Sequence, residues 1–166
     1  MKALTLVQPW ATLIALGIKR YETRSWGTSY RGPLAIHAGV QMDRGATLFA
    51  KDIVTEPLVQ KGFMTEPERR LASLEWVDKG RIPKSLADRF PRGVVLGVVD
   101  LVDCIRTGQA NSGSFQEVEH WCGDLSPGRF AWKLINWRAV VPPRAAKGKL
   151  GLWDIEGLEV NGDKAI

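Results

Sequence analysis

Apolar positions along the chain fall in short runs separated by turn residues, and alternation with period two outweighs helical spacing. Ala3 to Val7 is an apolar run holding Thr5, which predicts a first strand. Gln8 precedes Pro9 and is biased to extended backbone, while Pro9 suits a first helical position, where a missing N–H costs nothing. Trp10, Leu13, Ile14 and Gly17 then share one helical face, so a helix of about two turns ends near Gly17 and needs a sheet beneath it. From Lys19 to Trp26 the pattern turns polar. In extended form Arg20, Glu22 and Arg24 share one face, and Lys19, Tyr21 and Thr23 share the other. Gly27 to Gly32 reads as a loop, and Pro33 to Ala38 as a central strand that His37 closes before Gly39.

The middle of the chain changes period. Asp43 is placed to cap a helix running to Asp52 with Leu48 and Phe49 inward, and Thr65, followed by Pro67 and Glu68, caps a clearer helix through Trp76. Asp78-Lys79-Gly80 ends it, and Ile82 to Phe90 adds a turn or two. Pro91-Arg92-Gly93 turns into VVLGVVDLVDC, the longest strand signal, where Gly97 marks a bulge or a close backbone approach. Thr107 to Ser114 reads as a polar loop. Phe115 to Asp124 holds Glu117, Glu119, His120 and Cys122 without a clear period. Arg129 to Val140 alternates Phe130, Trp132 and Leu134 as a strand or strand pair that Pro142-Pro143 stops, and Lys149 to Ile155 is the last strand. No repeat or linker divides residues 1–166, so one domain is expected.

Charge adds a placement. Net charge is only +5, but residues 1–31 carry Lys2, Lys19, Arg20, Arg24 and Arg31 against Glu22 alone. Residues 126–149 carry Arg129, Lys133, Arg138, Arg144, Lys147 and Lys149 against no acid, and an acidic tail follows with Asp154, Glu156, Glu159 and Asp163. Two basic regions that meet in space would make a phosphate-binding face. Seven tryptophans are many for 166 residues and suit either a core or a stacking surface. Two cysteines, with no secretory pattern and no membrane-length apolar run, set the expectation of a reducing, cytoplasmic setting.

Several chemistries are excluded. Cys104 and Cys122 lack paired-cysteine partners, and His120 with Cys122 lacks third and fourth ligands, so neither a metal nor a cofactor is expected. The chain holds no phosphate-cradling loop, dinucleotide fingerprint or nucleophile elbow. What remains is Lys19, Glu22, Arg24, His37 and the tryptophans. Basic side chains serve phosphates, indoles stack on bases, and Gln8, Glu22 and Ser25 read polar edges.

Gln8-Pro9-Trp10, Gly17-Ile18-Lys19, Glu22, Arg24-Ser25-Trp26 and Arg31-Gly32 together resemble the ASCH domain, a family of the PUA-like superfamily. Gly93 to Ile105, Trp132-Lys133-Leu134 and Ala146 to Gly151 extend the likeness over most of the chain. The resemblance implies an α+β, PUA-like fold: a small mixed, mostly antiparallel β-barrel flanked by helices, with a cleft beside the first helix. It implies binding of RNA, DNA or a modified nucleoside, with no membrane involved. Gln8, Trp10, Lys19, Glu22, Arg24, Ser25, Trp26 and Arg31 would line the site, and His37, Trp132 and Lys133 join from strand position and aromatic or basic character. One family branch is an amidohydrolase of N4-acetylcytidine, and another member is similar to a ribonuclease. On that alternative Lys19 and Glu22 are the catalytic pair. Glu22 stands where the amidohydrolase has threonine, Thr23 would point to the other side of the strand, and Glu119 and Glu75 are both placed to supply a carboxylate. A second alternative is a protein-interaction domain of a transcription or translation factor.

Overall fold

The period-two runs do become strands, and the first helix is wedged among them. In the computed structural model, which describes residues 1–43, 47–108, 115–158, 160–161 and 164–165, β1 (Lys2–Gln8) leads into α1 (Trp10–Ala15), β2 (Tyr21–Arg24) and β3 (Gly32–Met42). A 3-10 turn (Thr47–Ala50), α2 (Asp52–Gln60), α3 (Glu66–Lys79) and α4 (Lys84–Ala87) follow. Then come β4 (Val94–Arg106), α5 (Glu117–Cys122), β5 (Phe130–Ala145) and three short strands, β6 (Leu152–Asp154), β7 (Val160–Asn161) and β8 (Lys164–Ala165).

The expected β-barrel does not form. The strands make one open sheet in the order β6-β1-β3-β4-β5-β8-β7, with β2 branching from β5. Closure needs end strands long enough to reach each other with a common stagger. Here β6 has three residues and β7 and β8 have two each, while β5 gives its early part to β2 and Val140 to β8. Pairing is mostly antiparallel, except that β1 lies parallel to β3 and β5 parallel to β8.

Three hydrophobic clusters follow. On one sheet face Leu4, Leu6, Ile36, Leu101 and Trp132 pack against Ala11 and Ile14 of α1. Leu13 of the same helix points away from the sheet into a helical layer with Leu48, Phe49, Leu58 and Phe90. A helix this short gains its stability from burial on both sides rather than from propensity. The opposite sheet face holds Ala3, Ala35, Val95, Val98 and Trp153.

Local departures from the sequence expectations have physical causes. Gln8, not Pro9, serves the start of α1: its side-chain carbonyl accepts the Thr12 N–H at 3.1 Å, and Pro9 occupies the capping position itself. Leu48 and Phe49 are buried as expected, but in a 3-10 turn; residues 44–46 of the expected helix lie outside the described residues, as do residues 109–114 of the polar loop and the tail acids Glu159 and Asp163. Helix α2, with Pro57 inside it, was not expected. Pro142-Pro143 does not stop β5, because these residues fall where the strand bulges off β4, between the pairs Gly97–Ala139 and Val95–Arg144. Gly97 does mark a close approach: a Cβ there would lie 2.5 Å from the Arg138 carbonyl and 2.5 Å from the Trp137 ring.

Candidate functional site

The chain reverses after α1 through Gly17, at φ 69°, and the Ile18 and Lys19 amides both donate back to the Leu13 carbonyl. That turn drives Lys19 inward, leaving it 2% exposed. Lys19 precedes β2, so strand alternation does not govern it, and it joins Glu22 instead of facing away. Its Nζ donates to the Cys122 carbonyl at 2.5 Å and lies 3.4 Å from Glu22 Oε2. Glu22 Oε1 in turn lies 3.1 Å from Arg24 Nε, an ion contact without hydrogen-bond alignment, and Arg24 Nη2 donates to the Thr5 carbonyl at 3.2 Å. The resulting row of charges runs from α5 to β1. Buried charges of this kind persist only when paired and hydrogen-bonded.

Helix α5 supplies the facing wall. Glu119, 2% exposed, accepts the Arg20 amide at 2.6 Å and the Tyr21 amide at 3.2 Å, which fixes α5 to the entry of β2. Burial pushes its carboxyl above the ordinary range, against the opposing pull of those N–H groups and of Lys19. Thr23 Oγ1 accepts the Asp124 amide at 3.1 Å. Gly123 lets the wall close up, since a Cβ would lie 2.9 Å from Thr23 Oγ1 and 3.2 Å from Lys19 Nζ. Burial pushes the Cys122 thiol up to about 12, so it is a packing group and not a nucleophile at neutral pH.

Between these walls lies a cavity of about 400 Å³. Trp10 forms one side, Lys19, Glu22 and Thr23 the floor, and His120, Trp121, Cys122, Gly123 and Asp124 the other side, with Thr47 at the rim. The Lys51 ammonium lies 4.0 Å from the Trp121 ring centroid, and Lys19 Nζ lies 5.8 Å from that of Trp10. The cavity therefore combines two indoles with a buried ion pair. The Glu22 and Asp124 carboxylates and the Cys122 carbonyl add acceptors, each already engaged by a neighbouring cation.

Set beside known proteins, residues 4–144 match the model of the ASCH domain. The chain belongs to the ASCH domain family. Its similarity extends to two curated relatives, each named Activating signal cointegrator 1, from mouse and from human; each is 29% identical over 161 residues. Those alignments cover 97% of this chain but only 23% of either relative, so the chain spans about a quarter of their length. Membership carries the general association of ASCH and PUA-like domains with nucleic acids. Among the described residues no helix is long and apolar enough to cross a membrane, and no cluster of three or more His, Cys, Asp or Glu is arranged to hold a metal.

Within this ASCH domain the sequence-derived site residues separate into groups. Trp10, Lys19 and Glu22 meet in the cavity, and Arg24 stands behind Glu22 outside its lining. Gln8 is fully buried with both ends of its amide engaged, by the Thr12 amide and by the Pro91 carbonyl at 2.6 Å, so it braces α1. Ser25 is exposed beyond β2. Trp132, in register with Glu22, is wholly buried, and Trp26 covers it edge-on with ring centroids 4.7 Å apart. Arg31 binds its own loop carbonyls and reaches Asp103, and Lys133 is exposed across from Tyr21. His37 lies on the opposite sheet face, its Nε2 3.0 Å from the Ala146 carbonyl and its ring edge-on to Trp153; burial holds its pKa below the ordinary value.

The cations of the second basic region are largely committed, Arg129 of them to Asp124 of the cavity wall. Arg138 pairs with Asp100, and Arg144 donates to the Glu156 and Gly157 carbonyls. Lys149 lies over Trp153, on the His37 side. Of the two candidate carboxylates, Glu119 adjoins the cavity but is occupied by backbone amides, and Glu75 is on α3, away from the lining. His120, Trp121, Gly123 and Asp124 were missed. They share one short segment whose six-residue helix is too brief to show a period, and the Trp-Cys-Gly-Asp run was its only signal.

Proposed function

We propose that this domain binds single-stranded nucleic acid, RNA foremost, by seating one base in the cavity between Trp10 and Trp121. The observation that carries this reading is the cavity itself: two indoles flank a floor of Lys19, Glu22 and Thr23 in a volume suited to one heterocycle. Thr47 and His120 at the cavity offer polar contacts to the base edge, while the phosphates stay outside with Lys51, over Trp121, and exposed Lys133. The family association and the resemblance to Activating signal cointegrator 1 are compatible with it. Filter binding of labelled single-stranded RNA and duplex DNA across a salt series tests it. Binding that weakens with salt and falls at least about tenfold in Trp10→Ala is expected, a loss within the range for one stacked base. Retention of neither nucleic acid at low salt would sink the proposal.

A second reading follows from Thr23. Its hydroxyl and Lys19 Nζ both crowd Gly123, which sets a hydroxyl beside an amine as in the amidohydrolase branch, although one residue later than the matched position. On this reading the domain hydrolyses an N4-acylated cytidine or RNA, with Lys19, Glu22 and Thr23 handling protons. Chromatography of N4-acetylcytidine and structured RNA after incubation separates it from binding alone. Equal turnover in wild type and Lys19→Ala would remove the catalytic role from Lys19.

A further inference from the structure

A second recess lies on the other side of the Gly17–Arg20 turn, between α2 and the start of α5, with a volume of about 620 Å³. Its floor is aliphatic: Ile18, Ile53, Pro57 and Val118. Ile53 and Pro57 stand one helical turn apart, as does Lys61 after them, so α2 presents a continuous stripe to the groove. Ile53 is 37% exposed, which leaves apolar surface open to water at the groove. Pro57 has no N–H, so it cannot donate to the Ile53 carbonyl one turn earlier.

The rim has a sign. Arg24, Arg31, Arg69, Arg89, Arg129 and Arg138 each lie on a carboxylate. Arg20 and Lys61, both exposed at this groove, lie on none among the described residues. Among the described residues Glu117 is the single acid in the lining. Among the described residues no aromatic side chain lines the groove, so they offer a base nothing to stack on, whereas aliphatic side chains fit its floor.

We infer that this groove is a docking site for a protein segment that alternates aliphatic with acidic residues. Its aliphatic side chains lie on Ile18, Ile53, Pro57 and Val118, its acids meet Arg20 and Lys61, and a backbone N–H faces Glu117. The two unpaired cations supply the charge complementarity that selects this partner over a basic one. The inference stands on a different surface from the Trp10 cavity and does not depend on nucleic-acid binding there.

The test uses the full chain and a fluorescent synthetic peptide that alternates leucine pairs with aspartate pairs, measured by polarisation. Its controls are the same peptide with lysine for aspartate and an unlabelled single-stranded oligonucleotide as competitor. Wild type is expected to bind the acidic peptide and not the basic one. The double variant Arg20→Ser/Lys61→Ser is expected to bind at least about tenfold more weakly, since two charge pairs are lost. Ile53→Asp is expected to abolish binding. Both variants alter exposed side chains, and an unchanged thermal midpoint verifies the fold of the double variant. Failure of the acidic peptide to bind, equal affinity for the basic peptide, unchanged affinity in the double variant, or displacement by the oligonucleotide would each overturn the assignment.

Discussion

Lys19 is the side chain on which the cavity floor turns. Replacing it with methionine leaves Glu22, 7% exposed, facing Arg24 alone, and breaking a buried pair in this way typically costs about 3–5 kcal/mol. Urea titration is expected to show that loss in Lys19→Met and a partial recovery in Lys19→Met/Glu22→Gln. Gly123→Ala has a different cause. The backbone there is extended and suits any residue, so the penalty comes only from crowding Thr23 and Lys19, and weaker RNA retention with a modest loss of stability is expected. Glu119 gives a pH dependence of defined sign. Its folded carboxyl is raised above the unfolded value, so at intermediate pH the native state binds more protons than the unfolded one. Its contribution to stability is complete below the ordinary glutamate range and declines as pH rises through the raised value. Stability of Glu119→Gln should therefore fall less than that of wild type over that interval, in denaturant titrations at stepped pH. Identity was easier to read than direction at this scale: Lys19 and Glu22 stood out in the sequence, but strand alternation put them on opposite faces. Alternation begins only at Tyr21, and the Gly17 turn sets the orientation of Lys19.

The elements show where local chemistry suffices. Thr65 and Glu68 form a reciprocal capping box at α3, legible from spacing alone, and Gly80 ends that helix in the left-handed region. Thr65→Ala is expected to cost about 1 kcal/mol in thermal or urea unfolding, with nucleic-acid binding unchanged. Gly97→Ala should cost about 3 kcal/mol, because the added methyl meets both the Arg138 carbonyl and the Trp137 ring. Helix α5 was not legible. It is six residues long, and Glu119 holds it in place through amides 99 and 98 residues earlier in the chain. No window of its own sequence contains that information.

For the whole molecule, the open sheet separates what the sequence had grouped. The cavity and α1 lie on one face, whereas His37, Trp153 and Gly148 pack on the other. The two basic regions do meet where β2 pairs with β5, yet Arg129, Arg138 and Arg144 are bound locally, which composition cannot reveal. The salt dependence of RNA binding should accordingly be shallow, with about two phosphate contacts, or a logarithmic slope of roughly −1.4 for a single strand. The alternation of β1, β3, β4 and β5 was readable because each keeps a buried face. Closure was not, because it depends on how far the shortest strands reach.

The clasp between Glu119 and the amides of Arg20 and Tyr21 also makes the cavity wall observable. Those two N–H groups are held by a helix side chain, so their hydrogen exchange with solvent reports detachment of α5 and not the fraying of β2. Slow exchange at both amides, accelerated together in Glu119→Ala, would give the rate at which the wall swings away and a bound base is released.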